Sequence, residues 1–390
     1  MAPPPPRPRV CAASPLECDD LLAEILLRLP SHPTRLLRAS LVCRRWRRLL
    51  RDLAFLSRFR AFHRTPPVLG LYRVSPRGCR AFLPVGEPAD CVPAGRFATP
   101  DPDSWFHFGC RHGRVLLRSR PGWLQFLVWD PLTGHRRCVR IQRLPRYVEA
   151  CHATALGDQG GLDRRQGSFR VAFVFTGGGR ASACLFSSET GAWGRLIRAE
   201  VLCSPVDSRP VALAGNALYW LLLDGGILQL HLGKQRLNFV EPPPRAQIMY
   251  PNNVQLFEAE SGVLGFVGVK EYSLHLWARA VDSDGTAEWV LRKIIDLDGF
   301  AMLPVVSYLS VPVLPFQIVG VDEGGSFAFI WTALGIYMVF LNAAVGAPLF
   351  KKVSDAQLLE VVRPYSSFYV AGGVGGGEGE GDCGSIETET

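Results

Sequence analysis

From residue 66 to about residue 370 the chain is a succession of short apolar runs cut by glycine, proline and aspartate, with almost no helical periodicity. That pattern leaves little besides an all-β body. Two phrases recur within it. A glycine opens a strand in Gly113-Arg114-Val115-Leu116-Leu117, in Gly215-Asn216-Ala217-Leu218-Tyr219-Trp220 and in Gly262-Val263-Leu264. A strand runs into a turn in Val128-Trp129-Asp130-Pro131-Leu132-Thr133-Gly134, again in Leu185-Phe186-Ser187-Ser188-Glu189-Thr190-Gly191-Ala192-Trp193, and loosely from Trp277 through Asp282 and Gly285 to Trp289. Equivalent positions lie about 47 to 57 residues apart or twice that, which suits propeller blades of about 40 to 50 residues. About 300 residues then make six or seven blades.

Residues 299–350 carry only Asp322 and Glu323 as charges and could pass for two membrane spans. Pro304, Pro312 and Pro315 would break the first. Phe327 to Trp331 and Ile336 to Leu341 flank the short Thr332 to Gly335 turn as a hairpin would. Buried strands between neighbouring blades account for the hydrophobicity, and no membrane partner is expected.

The N-terminal part follows another rule. Asp19 and Asp20 are N-terminal caps for a helix carrying Leu21, Leu22, Ile25, Leu26 and Leu29 on one face, and Pro30 stops it. Glu24 and Arg28, four apart, pair on the opposite face. Thr34 caps a second helix with Leu36, Leu37 and Leu41, and Val42, Trp46, Leu49, Leu50 and Leu53 form a further stripe. Three short helices in under about 50 residues bury too little to be robust alone, so a partner or the following domain must cover the apolar face left over. The chain thus divides into a disordered proline-rich leader at 1–13, a helical module at 14–62, a β body at 63–370 and a disordered glycine-rich acidic tail at 371–390.

The net charge of +8 is concentrated rather than general. Arg35, Arg38, Arg44, Arg45, Arg47, Arg48, Arg51, Arg58, Arg60 and Arg64 face only Asp52 over that stretch, and the rest of the chain is near neutral. Such a cluster can grip phosphates, but an arginine-coated helix is more often simply solvated, and no nucleic-acid partner is expected. The leader has no apolar core of the secretory kind. An intracellular place, cytoplasm or nucleus, follows, with the 11 scattered cysteines read as reduced thiols.

The run Asp19-Asp20-Leu21-Leu22-Ala23-Glu24-Ile25-Leu26-Leu27-Arg28-Leu29-Pro30, followed by Arg38-Ala39-Ser40-Leu41-Val42-Cys43-Arg44-Arg45-Trp46-Arg47-Arg48-Leu49, closely resembles the F-box, especially its plant form. The β body is similar to the F-box-associated propeller-like domains of cereal plants through the phrases around Gly113, Asp130 to Gly134, Ser187 to Trp193 and Gly215 to Trp220. The resemblance implies a multidomain protein, a small all-α F-box module followed by an all-β, propeller-like domain. It implies docking on a Skp adaptor, through it on cullin, and recognition of an unidentified protein target for ubiquitin-mediated degradation. Leu21, Leu22, Ile25, Leu26, Leu29, Pro30, Val42 and Trp46 are then the interface and module-core positions, two roles that the sequence does not separate. One departure lowers the affinity to be expected. Glu17 and Cys18 stand where the family has Leu-Pro, with Pro15 and Leu16 too early.

Chemistry finds no foothold in the sequence. Cys110 with His112, Cys151 with His152, and Cys138 lack the spacing of a tetrahedral metal site. No nucleophile elbow, zinc-protease helix or Walker loop is present. The glycines of the tail satisfy a dinucleotide pattern without the strand and helix that pattern needs. Gly177-Gly178-Gly179 reads as a hairpin turn, and Asp282 and Asp284 as turn residues. No catalytic residue, metal or cofactor is expected. The competing reading is a propeller interaction module with a degenerate F-box that does not join the ligase.

Overall fold

The structure, a computed structural model, describes residue 16 and residues 18–75, 78–86, 92–120, 125–141, 148–157, 168–244, 253–281, 286–297, 316–342, 350–355 and 361–368. The proposed leader and tail, Glu17, Asp282 and Asp284 lie outside them.

Four helices open the chain, α1 (Asp19–Leu27), α2 (Pro33–Ser40), α3 (Arg44–Arg51) and α4 (Leu53–His63), one more than the apolar pattern predicts. The fourth begins directly after Asp52, whose carboxylate accepts from Ala54 N at 3.3 Å and restarts the chain as a helix. The caps expected at Asp19, Asp20 and Thr34 are corrected: Cys18 and His32 hold the N-cap positions without capping side-chain bonds. Asp19 and Asp20 sit instead in the first turn of α1, where the positive end of the helix dipole favours them. Leu22, Leu26, Leu36, Leu50, Phe55 and Phe59 form the buried core of this module.

The β body is a six-bladed propeller, within the six or seven blades expected. The first sheet holds β1 (Val68–Ser75) and β2 (Gly78–Pro84). The second holds β3 (Trp105–Arg111), β4 (Arg114–Ser119), β5 (Gln125–Trp129) and β6 (Arg136–Arg140). The third runs through β7 (Ala150–Gly157), β8 (Phe169–Gly177), β9 (Arg180–Ser187), β10 (Ala192–Trp193) and β11 (Ile197–Leu202). The fourth holds β12 (Ala212–Ala214), β13 (Ala217–Leu221), β14 (Ile227–His231) and β15 (Arg236–Val240). The fifth holds β16 (Val254–Glu258), β17 (Leu264–Lys270), β18 (Ser273–Val281) and β19 (Ala287–Asp296). The sixth holds β20 (Phe316–Val321), β21 (Phe327–Thr332), β22 (Gly335–Phe340) and β23 (Phe350–Ser354). Finally β24 (Val361–Ser366) returns to pair antiparallel with β1, so the last described strand completes the first sheet and closes the ring.

The inner strands are buried on both faces, which is why they read as apolar runs rather than strict alternations, while the outer strands β11, β19 and β23 are largely exposed. Leu156, Val174, Trp220 and Leu230 join the third and fourth blades, and Val267, Leu274, Phe316 and Ile330 the fifth and sixth. Further apolar clusters join the remaining neighbours, including the sixth and first through Leu71, Phe329 and Val362. Each such Leu, Ile or Phe contributes about 1.5–3 kcal/mol by leaving water. The hydrophobic stretch at 316–341 is β20, β21 and β22, with the expected hairpin between Thr332 and Gly335. No described helix is long and apolar enough to cross a membrane.

The recurrent glycines have mechanical reasons. Gly178 and Gly179 take φ values of +60° and +72°, the left-handed backbone of a two-residue hairpin turn between β8 and β9. Asp130 makes the strand-to-turn phrase work: its Oδ1 accepts from Leu132 N at 2.9 Å and from Thr133 N at 3.3 Å, folding the chain back before β6. The aromatic side chains of Trp105, Trp129, Tyr219, Trp220 and Trp277 are buried between blades. One expectation fails among the cysteines, since Cys138 is disulfide-bonded; Cys18, Cys43, Cys110, Cys151, Cys184 and Cys203 are in the reduced form expected.

Candidate functional site

The helical module sorts the eight residues of the resemblance by geometry. Leu22 and Leu26 point into its core and are out of solvent. Leu29 and Trp46 pack half-buried against that core. Leu21, Ile25 and Val42 are exposed by 51%, 43% and 63%, and Pro30 is exposed as well. The set is therefore not one surface: Leu22 and Leu26 hold the module together, whereas Leu21 and Ile25, one turn apart on α1, form an outward apolar stripe. Leu37 and Leu41, four apart at α2 and its end, are also exposed. Sequence reading placed them on the second helix without marking them as surface, although their spacing from the buried Leu36 and Ala39 carries that information.

Much of the arginine cluster is occupied in fastening these helices. Glu24 pairs with Arg28 at 2.9 Å and with Arg58, tying α1 to α4, and Arg28 ahead of Arg58 holds its carboxyl below the usual range. Arg45 donates Nε to Asp19 Oδ1 at 2.7 Å and Nη1 to Leu16 O at 2.6 Å, clamping α3 to the start of α1. Arg47 Nε reaches Ser40 O at 3.2 Å. Arg44, Arg48 and Arg51 remain exposed on α3.

Four residues, 64–67, separate α4 from β1. The joint is packed rather than slack. Phe59 meets Phe368, just beyond β24, edge to face with centroids 6.4 Å apart, and His63 Nε2 donates to Leu27 O at 3.0 Å. Ser367 N donates to Pro67 O at 3.2 Å. Between α4 and the propeller lies a cavity of about 1750 Å³ whose walls include Arg60, Arg64, Arg111, Arg114, Glu258 and Glu323. Burial pushes the Glu258 carboxyl above the usual carboxylate range, opposed by Arg111.

The histidine and cysteine pairs weighed for chemistry are not brought into a working constellation. His112 is turned to accept from Gly157 N through Nδ1 at 3.2 Å, and Cys110 lies instead 3.8 Å from His107 Nε2. His152 accepts from Trp220 Nε1 at 3.3 Å. Desolvation presses the pKa of His107 and of His152 down to about 3, pushes the Cys184 thiol up to about 12 and raises that of Cys151. A base that holds no proton until pH 3 and thiols that stay protonated at neutrality do not make a nucleophilic pair. Among the described residues no three His, Cys, Asp or Glu side chains stand close enough to hold a metal.

Comparison with known families matches residues 18–58 to the F-box domain. Residues 108–364 match the family described as F-box protein AT5G49610-like, beta-propeller. No curated protein matches the chain. Among solved structures, Hsv2 of Kluyveromyces lactis with loop 6CD replaced by a Gly-Ser linker shares 12% identity, covering 58% of this chain and 69% of that one, at a TM-score of 0.36. The beta-propeller domain of Myceliophteria thermophila Cps50 (Swd1) shares 11% identity over 65% of this chain and 87% of its own, at a TM-score of 0.35. Neither likeness bears on function. With four N-terminal helices carrying the F-box match and a six-bladed propeller carrying the match at 108–364, the chain belongs to the F-box proteins of the AT5G49610-like beta-propeller family.

Proposed function

We propose that this protein is a non-catalytic substrate-recognition adaptor of an SCF-type ubiquitin ligase. The module at 14–62 binds a Skp adaptor and through it cullin, while the propeller at 63–370 holds a protein target. The observation that carries the reading is the outward stripe of Leu21 and Ile25, with Val42, Leu37 and Leu41 exposed beside it, on a module whose own core is already complete. Apolar surface of this kind on a small helical unit is disfavoured in water and is stabilised by a partner that covers it. The packed joint at residues 64–67 adds a mechanical argument. A target held on the propeller keeps a fixed distance from the ligase, and proximity raises the effective concentration of its lysines without any catalytic group from this chain.

The test is complex formation with a purified Skp adaptor by size-exclusion chromatography. Leu21→Asp with Ile25→Asp is the informative variant, because both side chains are exposed and the helices survive the change. Leu26→Asp would place a carboxylate in the module core and report folding instead. A complex lost in the double variant supports the ligase reading. Failure of the wild-type chain to bind several Skp adaptors overturns it and favours the second reading, a propeller interaction module with a lapsed F-box, for which Cys18 in place of the family's proline is the motivating residue. An intracellular place, in cytoplasm or nucleus, goes with the ligase reading.

A further inference from the structure

On the propeller axis, β24, β3, β7, β12, β16 and β20 each send residues to a narrow channel with a cavity of about 40 Å³. Two arginines line it. Arg363 of β24 is 6% exposed and Arg111 of β3 is 7% exposed. Arg363 donates Nη2 to Ser208 O at 2.7 Å, leaving its buried Nε and Nη1 without an acceptor among the described residues. Arg111 donates Nη2 to Val211 O at 2.7 Å, and its buried Nε has no acceptor either. His152 lines the same cavity. Because Trp220 Nε1 donates to His152 Nδ1, the neutral ring carries its hydrogen on Nε2, which is also buried and unpartnered.

The carboxylates nearby do not answer these donors. Asp207 is held by Arg209 at 2.6 Å. Asp322 accepts from Phe327 N at 2.6 Å and Gly324 N at 3.2 Å, and both oxygens of Glu323 accept from His112 N at 3.0 Å. Glu258, half-buried at the channel wall, makes no ion pair within 4.0 Å among the described residues. Two buried guanidiniums thus share a cavity in which, among the described residues, no carboxylate accepts their hydrogens, although Glu258 acts on Arg111 and Asp207 on Arg363 at longer range. Charges removed from water in this way call for a counter-charge that also accepts their hydrogens.

We propose that the channel cavity is a binding site for one small tetrahedral oxyanion, inorganic phosphate or sulfate, held by Arg363, Arg111 and His152. The volume admits about three waters or one such ion, and it does not admit the remainder of a phosphopeptide. Water can accept these hydrogens but brings no charge. Guanidinium to oxyanion bonds are charge-assisted at both ends and correspondingly stronger. The ion would join the inner strands of three consecutive blades, one of them the closing strand β24, so it would lock the ring at its seam. The assignment stands whether or not the F-box docks on an adaptor.

Equilibrium dialysis of the full chain, purified without phosphate or sulfate, against radiolabelled inorganic phosphate tests it. One saturable site per chain is expected, displaced by unlabelled sulfate and unmoved by chloride at equal ionic strength. Loss of that site in Arg363→Met and in Arg111→Met, each with an unchanged far-ultraviolet circular dichroism spectrum, places it in the channel. Absence of saturable binding at millimolar phosphate overturns the proposal. So does binding that survives both substitutions, or displacement by O-phosphoserine, which would put the phosphoryl site at the open face. Where the variants do not fold, wild-type crystals soaked in selenate decide. An anomalous peak within hydrogen-bond distance of Arg363 and Arg111 upholds the site, and a peak elsewhere or none overturns it.

Discussion

At the scale of single residues, burial divides side chains that look alike. Leu21 and Leu22 are neighbours of one type, yet one faces solvent and the other is the centre of the module. Substituting Leu26 by alanine is expected to cost about 2–5 kcal/mol and to lower the unfolding midpoint of the helical module, whereas Leu21→Ala leaves that midpoint nearly unchanged and weakens Skp-adaptor binding. Denaturant unfolding followed by helical circular dichroism, beside a binding titration, separates the two effects. Two buried histidines lead the response to acid. His107 and His152 bind protons near pH 3 in the folded chain against 6.5 ordinarily, so below pH 6.5 the unfolded chain takes up protons that the folded one refuses. Asp322 works the other way: burial raises it to about 6, so the folded chain keeps a proton that the unfolded chain releases above pH 3.8, a contribution lost as pH climbs through 6. His275, lowered by burial, sides with the two histidines and Glu258, raised by burial, sides with Asp322, so three groups stand against two and stability is expected to fall on acidification between about pH 6 and 4. Urea midpoints across that range check the sign, and a midpoint that rises toward acid would contradict it.

At the scale of elements, the seam and the hairpins carry the risk. Tyr365 on β24 donates its hydroxyl to Gly113 O at 3.0 Å, linking the closing strand to the second blade in a fully buried setting. Tyr365→Phe leaves that bond unmade and is expected to destabilise the propeller by about 1–3 kcal/mol, read as a lower thermal midpoint. Gly335, in the turn between β21 and β22, has φ +127° and would place a Cβ 1.9 Å from Ser354 O. Gly335→Ala therefore meets both backbone strain and a collision with β23, and a loss of about 2–3 kcal/mol is expected by the same measurement. The hairpin at Gly178 and Gly179 and the Asp130 turn were legible because each depends on the local chemistry of a few adjacent residues. The fourth helix was not. Asp52 reads equally well as the end of one helix and the cap of the next, and Phe55, Leu56 and Phe59 decide the matter only by packing on α1.

At the scale of the whole molecule, the question is how firmly the F-box module is coupled to the propeller. Phe368→Ala removes the ring that meets Phe59 across the joint. A loss of about 2 kcal/mol of docking would speed native-state trypsin cleavage after Arg64 by about thirtyfold, while the melting of the propeller itself changes little. Cleavage at the wild-type rate would show that the joint is held elsewhere. The order of a helical module before an all-β body, the glycine-rich turns and the blade-length repeat lay in the sequence, because they arise from contacts within a few residues or from a period the chain repeats along itself. Which strand pairs with which at the seam did not, since β1 and β24 lie almost three hundred residues apart and each reads as an ordinary apolar run. Arg111 and Arg363 likewise look like any charged residue on a strand, and only closure of the ring turns them onto a shared axis. Local propensity and periodicity determine which elements form. Only the tertiary structure decides which side chains are removed from water together, because burial belongs to the assembled surface and to no single stretch of chain.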